Sequence, residues 1–193
     1  MEHIDTKNSD YAKLANLLEY PDATFPSKLL ACGYRNVFTP FVTALQGLSL
    51  SQLQELYTRT FDLNPVCALE IGYHLFGENY KRGEFLAGLR ETEAPFELGQ
   101  KQQLPDYLPV LLRLLTQLQD HELRDSLIGE CMIPAIDKML GSFKDGDNPY
   151  RSLLEVLRIR LSSEVHVDSR VIKPGTPARR MSLPVIQPVF GGV

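Results

Sequence analysis

The amino-acid sequence predicts an all-α fold: a single globular multi-helix bundle around one central buried helix, with a disordered C-terminal tail. Three observations carry this expectation. Apolar residues recur at i, i+3, i+4 and i+7 through most of residues 9–161, the spacing of one helix face. Helix-start and helix-stop residues bracket these segments. One segment, from Leu104 to Leu118, is apolar on nearly every side, which suits a helix enclosed by other helices. There is no internal repeat, and no sustained period-two alternation that would signal strands.

The first helix is expected from Ser9 to Tyr20. Tyr11, Leu14, Ala15, Leu17 and Leu18 form its apolar face, Ser9 its cap and Pro21 its stop. A second helical region runs from about Pro26 to Leu45, broken at Gly33 and Pro40, with Gly47 beyond its C-terminus. Ser49 opens the next helix with Gln52 three residues on, a capping box. Its stripe is Leu50, Leu53, Leu56, Tyr57 and Phe61, and it ends near Asp62. Asn64-Pro65 starts another in the favoured order of cap, then proline. It carries Val66, Leu69, Ile71, Tyr73, Leu75 and Phe76 and stops at Gly77. A shorter helix covers Tyr80 to Arg90, and residues 91–105 read as a loop.

The central helix follows. Pro105 and Pro109 frame Asp106, which reads as an N-cap accepting the N–H of Leu108, with its charge at the positive end of the dipole. Pro109 falls in the first turn, where its missing N–H costs nothing. Asp106, Arg113, Thr116, Gln117 and Asp120 share one face. A helix is expected from there to about Phe143, kinked at Pro134. Residues 144–148 form a turn, and Asn148-Pro149 starts the last helix, Tyr150 to Leu161. Pro174, Pro177, Pro184 and Pro188 then recur without periodicity. Residues 1–161 are therefore expected as the helical domain and 162–193 as a basic, proline-rich, disordered tail. Within it, Val165-His166-Val167 and Val185-Ile186 would form strands only against a partner surface.

Composition excludes several classes. With 193 residues, 44% of them hydrophobic, the chain supplies one sizeable core. A net charge of -4 argues against a nucleic-acid-binding surface. No apolar run approaches the length of a membrane span, and the opening Met-Glu-His-Ile-Asp is too polar for a signal peptide. Cys32, Cys67 and Cys131 are odd in number and widely spaced, which fits reduced thiols in a cytoplasm better than disulfides or zinc.

A search for catalytic or ligand-binding motifs finds no glycine-rich dinucleotide loop, Walker loop, Gly-x-Ser-x-Gly or His-Glu-x-x-His. His3, His74, His121 and His166 lie far apart, none with a second ligand at metal-binding spacing. His74, beside Tyr73, reads as a satisfied core or groove histidine. Glu78, Glu84, Glu91 and Glu93 read as solvated surface charge. Arg179-Arg180-Met181-Ser182 has the look of a kinase site or twin-arginine signal, but that signal belongs at an N-terminus, so a solvated tail is the plainer reading. Leu104 to Pro109 and Tyr57-Thr58-Arg59-Thr60-Phe61-Asp62 remain. Two prolines and a Tyr read as exposed, around one Asp, exceed what a cap requires.

These residues resemble a known family. Leu17 to Asp22, Tyr57 to Asp62, Leu69 to Glu78, Arg82-Gly83 and Leu104 to Pro109 lie in the order found in the nitrate reductase molybdenum-cofactor assembly chaperones, the NarJ-type delta subunits within the wider TorD/DmsD-like group of redox-enzyme maturation proteins. The resemblance spans about residues 9–160 and leaves the tail unassigned. It implies a cytoplasmic, all-helical protein without catalytic activity or metal site. Such proteins bind the N-terminal segment of the apo catalytic (alpha) subunit of a respiratory nitrate reductase. They support insertion of bis-molybdopterin guanine dinucleotide, which they do not hold permanently, before membrane attachment.

By that resemblance a groove beside the central helix would bind the client peptide. Tyr57, Phe61, Tyr73 and Tyr107 would form its walls, with His74, Leu104, Pro105, Leu108 and Pro109 beside them, and Asp62, Glu78 and Asp106 would meet basic residues of the peptide. Monomer and dimer both fit. Two other readings stand beside this one: a maturation chaperone for a sulfoxide or N-oxide reductase, and a small helical enzyme with a site near His74 and Glu78.

Overall fold

The computed structural model describes residues 2–32, 37–99, 103–143 and 148–165, and only the backbone of residues 2–9 and 32. Its α-helices are α1 (Glu2–Leu17), α2 (Phe25–Cys32), α3 (Thr39–Leu45), α4 (Leu50–Tyr57), α5 (Ile71–Phe76), α6 (Tyr80–Glu93), α7 (Leu108–Gln117), α8 (His121–Ser126), α9 (Ile133–Ser142) and α10 (Pro149–Ser162). Among the described residues the one departure toward sheet pairing is an isolated antiparallel bridge between Glu70 and Tyr107. The fold is all-α, as the periodicity predicts.

α7 is the buried centre. Leu108, Pro109, Val110, Leu111, Leu112, Leu114 and Leu115 are all enclosed, with Pro109 in the first turn. α1 packs along it through Tyr11, Leu14, Ala15, Leu17 and Leu18, each without solvent exposure. The polar edge of α7 is Arg113, whose guanidinium meets Glu19 Oε1 at 2.5 Å and the Leu98 carbonyl at 3.3 Å. That edge stops at Gln117: Asp120 instead caps α8, accepting the Leu123 N–H at 3.0 Å. α10 closes the bundle against α3 and α9. It sends Tyr150 into an aromatic cluster with Phe61 (ring centroids 4.8 Å), Phe41 (5.3 Å) and Tyr57 (6.0 Å).

The capping box at Ser49 forms, with Ser49 N–H to Gln52 Oε1 at 2.9 Å. Asn148 caps α10 by accepting the Tyr150 N–H at 3.0 Å. Gly47 and Gly77 take the left-handed φ values of 83° and 60° that suit glycine past a helix end.

Other elements differ from expectation for local reasons. α1 begins at Glu2, so Ser9 lies within it; no Pro or Gly interrupts residues 2–8. α6 runs on to Glu93, capped by Asn79 through the Lys81 N–H at 3.1 Å. The helix expected from Asn64 to Phe76 is two pieces, a 3₁₀ turn at Pro65–Cys67 and then α5. Before Pro134 the chain widens into a π-helical turn, Leu127–Met132, because proline cannot donate to the preceding turn and its ring crowds it. α4 likewise opens into a π-helical turn at Thr58–Asp62. Cys67 and Cys131 are buried free thiols, pushed up by burial to about 11 and about 12. Gly33, most of the 144–148 turn, His166 and the tail at 166–193 lie outside the described residues.

Candidate functional site

Two short stretches of extended backbone meet at the head of α7. Ile71 N–H donates to the Asp106 carbonyl at 3.0 Å, and Leu108 N–H donates to the Leu69 carbonyl at 2.8 Å. This pairing is why residues 68–70 leave the helix: their neighbours' hydrogen bonds go to 106–108 instead. It also corrects the N-cap expectation for Asp106. Tyr107 occupies the N-cap position with no side-chain cap, and the Leu108 N–H is already taken.

The Asp106 carboxylate points inward and has no solvent exposure. Its Oδ2 accepts the Gly72 N–H at 3.1 Å and Arg82 Nη2 at 3.4 Å. The Arg82 guanidinium also stands over the Tyr73 ring, 5.9 Å from its centroid. Position 72 must be glycine for this approach, since a Cβ there would lie 2.6 Å from Asp106 Oδ2 and 3.1 Å from the Phe85 ring. Asp106 therefore latches the starts of α5 and α7 to α6. Burial holds its carboxyl above the usual carboxylate range, although the Arg82 charge pulls the other way. Asp106 Oδ1 and Arg82 Nε have no hydrogen-bond partner among the described residues.

Beside the latch sits a tyrosine pair. The Tyr57 hydroxyl donates to the Leu18 carbonyl at 3.3 Å and lies 3.0 Å from the Tyr107 hydroxyl. Tyr107, expected to be exposed, is 7% exposed because it turns in to meet Tyr57. Burial pushes its hydroxyl up to about 12; its hydrogen bond with Tyr57 opposes the shift, and the charges of Glu19, Glu70 and Asp62 add to it. Those three carboxylates thus gather around the pair. Asp62 is exposed and accepts Thr58 Oγ1 at 3.1 Å. Glu70 is half-buried, and burial, with Asp106 nearby, raises its carboxyl.

Apolar side chains in the flanking segments reach solvent. Tyr20, 50% exposed, stands edge-on against Tyr57 at 5.4 Å. Leu63, Val66 and Leu104 are also exposed. Val66 continues into an open cavity of about 540 Å³ lined by Tyr73, His74, Leu75, Gly77, Lys138, Gly141 and Ser142. Lys138 Nζ donates to the His74 carbonyl at 2.6 Å, so the charged wall of the cavity is cationic.

The expected peptide-binding residues fall into three sets. Tyr57, Phe61, Pro105, Asp106, Tyr107, Leu108 and Pro109 are buried and frame the site. Asp62, Glu78 and Leu104 face solvent, and Tyr73 and His74 line the cavity. Asp106 is spent on Arg82 and Gly72 within the fold, so it does not present its charge to a peptide. Glu70, Leu63, Val66 and Tyr20 stand beside these residues and were not expected to bind, although Tyr20 and Glu70 lie within the segments that carry the resemblance and Val66 within an expected helix. Leu63, an isolated apolar residue just past a helix end, is a further signal.

The chain is similar in sequence to curated proteins. It is 27% identical over 159 residues to the probable nitrate reductase molybdenum cofactor assembly chaperone NarW of Escherichia coli K12, covering 79% of this chain and 68% of that protein. It is 26% identical over 164 residues to the probable chaperone NarJ of Bacillus subtilis 168, covering 79% and 88%. It is 24% identical over 180 residues to the nitrate reductase molybdenum cofactor assembly chaperone NarJ of Escherichia coli K12, covering 86% and 75%. The chain is a relative of the NarJ-type assembly chaperones. No protein-family model matches it. Among the described residues no cluster of His, Cys, Asp and Glu is arranged to hold a metal, and no helix is long and apolar enough to cross a membrane.

Proposed function

We infer that this chain is an assembly chaperone for a respiratory nitrate reductase. It binds the N-terminal segment of the apo catalytic subunit in the cytoplasm, keeps that subunit open for its cargo, bis-molybdopterin guanine dinucleotide, and delays membrane attachment. It has no chemistry of its own to perform. One observation carries the reading: segments through which the chain resembles these chaperones, 57–62, 69–78 and 104–109, converge on the single acid-rimmed, apolar face around Tyr57 and Tyr107. An amphipathic basic segment fits such a face, with apolar anchors seated against Tyr20, Leu63, Val66 and Leu104 and cations beside Asp62 and Glu70. The anchors set affinity, since a desolvated contact is worth about 2 kcal/mol or more on truncation. An exposed ion pair adds roughly 0–1 kcal/mol and sets register.

The enzyme reading has less behind it. His74 Nε2 lies 2.7 Å from the Ala68 carbonyl, and burial lowers its imidazole pKa, as in a structural histidine. Calorimetric titration of the full chain with a peptide from the N-terminus of the cognate catalytic subunit tests the proposal, with a sulfoxide-reductase leader as control. Binding at about micromolar strength or tighter to the first alone supports it. Binding to the leader alone moves the client to another molybdoenzyme, and binding to neither overturns the reading.

A further inference from the structure

The acid-rimmed face has a candidate occupant in the chain itself. Residues 166–193 carry four basic residues, Arg170, Lys173, Arg179 and Arg180, against one acidic, Asp168, for a charge of +3. The rest of the chain therefore holds -7 of the total of -4. The same 28 residues include Leu183, Val185, Ile186, Val189 and Phe190 among their prolines, the composition that docks on exposed aromatic and apolar surface.

Geometry permits the return. α10 starts at the face, where Tyr150 meets Phe61 and Asn148 Nδ2 donates to Thr60 Oγ1 at 2.9 Å. Its 14 residues carry the chain about 20 Å away. There Glu164 pairs with Arg124 at 2.6 Å and Val165 lies over Gly129. Twenty-eight residues at about 3.1 Å each span about 85 Å, so half of them cover the way back and the rest are free to lie on the face.

We propose that the basic, apolar segment 166–193 occupies the face around Tyr20, Asp62, Leu63, Glu70 and Leu104 in cis, and that a client peptide must displace it. The competition rests on the function proposed above; the contact itself does not. A tail on the face nine-tenths of the time weakens apparent client affinity about tenfold.

The test uses the full chain and a full-length variant carrying Arg170→Glu, Lys173→Glu, Arg179→Glu and Arg180→Glu. Backbone amide spectra are compared over a range of protein concentrations. The proposal expects the amides of Asp62, Leu63, Glu70, Leu104 and Tyr107 to shift between the two at every concentration, and expects high salt to shrink the difference. Identical spectra at these residues overturn it. Differences that grow with concentration also overturn it, since they assign the contact to a second copy's tail. Client-peptide titration separates the two ideas. Tighter binding by the variant joins them, whereas shifted amides with unchanged client binding keep the tail contact and remove the face as the client site.

Discussion

α7 and the connector from Thr58 to Glu70 touch along one short run of backbone, where 69–71 pairs with 106–108. They are built on opposite terms. In α7 seven of ten residues are buried, and each turn repeats the last. In the connector a π-helical turn, a 3₁₀ turn and an extended stretch succeed one another within thirteen residues, leaving Leu63 and Val66 in solvent beside Asp62 and Glu70. On the function proposed above, the contrast separates stability from recognition. Dry, regular packing supplies the first, and backbone that breaks its period presents the groups for the second.

Substitutions that invade α7 should cost most. Leu111 has no exposure, and Leu111→Ala removes buried apolar volume in the middle of the bundle. A loss of about 2–5 kcal/mol is expected in urea unfolding, with the face proposed for the client unchanged in any protein that still folds. A loss below about 1 kcal/mol would mean that α7 is not the packed centre.

The latch between the two regions comes next. Gly72→Ala drives a methyl to within 2.6 Å of the Asp106 carboxylate and should cost about 1–3 kcal/mol. Asp106→Ala strands the Arg82 guanidinium and the Gly72 N–H and should cost about 1.5–3 kcal/mol. The sequence alone suggests Asp106→Ala as a test of binding; its burial makes it a test of stability. Because the methyl's main collision is with the carboxylate, the double variant should lose less than the sum of the singles. Additive losses would show that the two groups do not meet. The latch also carries a pH signature. Its folded-state pKa is raised above the unfolded value near 4, so the stabilisation is fully present below that value and fades as pH rises through the raised one. The stability of the natural chain relative to Asp106→Asn should therefore fall as pH climbs from about 4. A flat difference would place the carboxylate in water.

Much of this division is visible in the sequence. The stripe Tyr11, Leu14, Ala15, Leu17 and Leu18, the Ser49–Gln52 box and the Asn148–Pro149 start all follow from rules acting within four residues. The fate of Asp106 does not. A local rule makes it a cap, and the structure spends it on Gly72, 34 residues away, and on Arg82, 24 away. The break at residues 68–70 is hidden for the same cause: apolar periodicity runs straight through it, and only pairing with 106–108 halts the helix. Glu70 is unremarkable as a letter and becomes notable by standing across from Tyr107.

A milder change tests the seam between the regions. Tyr57→Phe keeps the ring against Tyr20, Phe61 and Tyr150 and removes only the hydroxyl that reaches Leu18 and Tyr107. It should cost about 0.5–1.5 kcal/mol in thermal unfolding. No loss would mean that water satisfies those groups equally well and that the pair is not sealed.

The smallest stability effect belongs to the connector. Leu63 is 75% exposed and contributes no core volume, so Leu63→Ser should leave unfolding free energy within about 0.5 kcal/mol. If the connector exists to present anchors, the same variant should bind the client peptide at least about tenfold more weakly, since each tenfold corresponds to about 1.4 kcal/mol of lost contact. Measured together, the two numbers decide the comparison. Stability kept and binding lost would make Leu63 a residue held in solvent for a partner. Both kept would make its exposure incidental and shift the search for the anchor to Val66 and the cavity beside it.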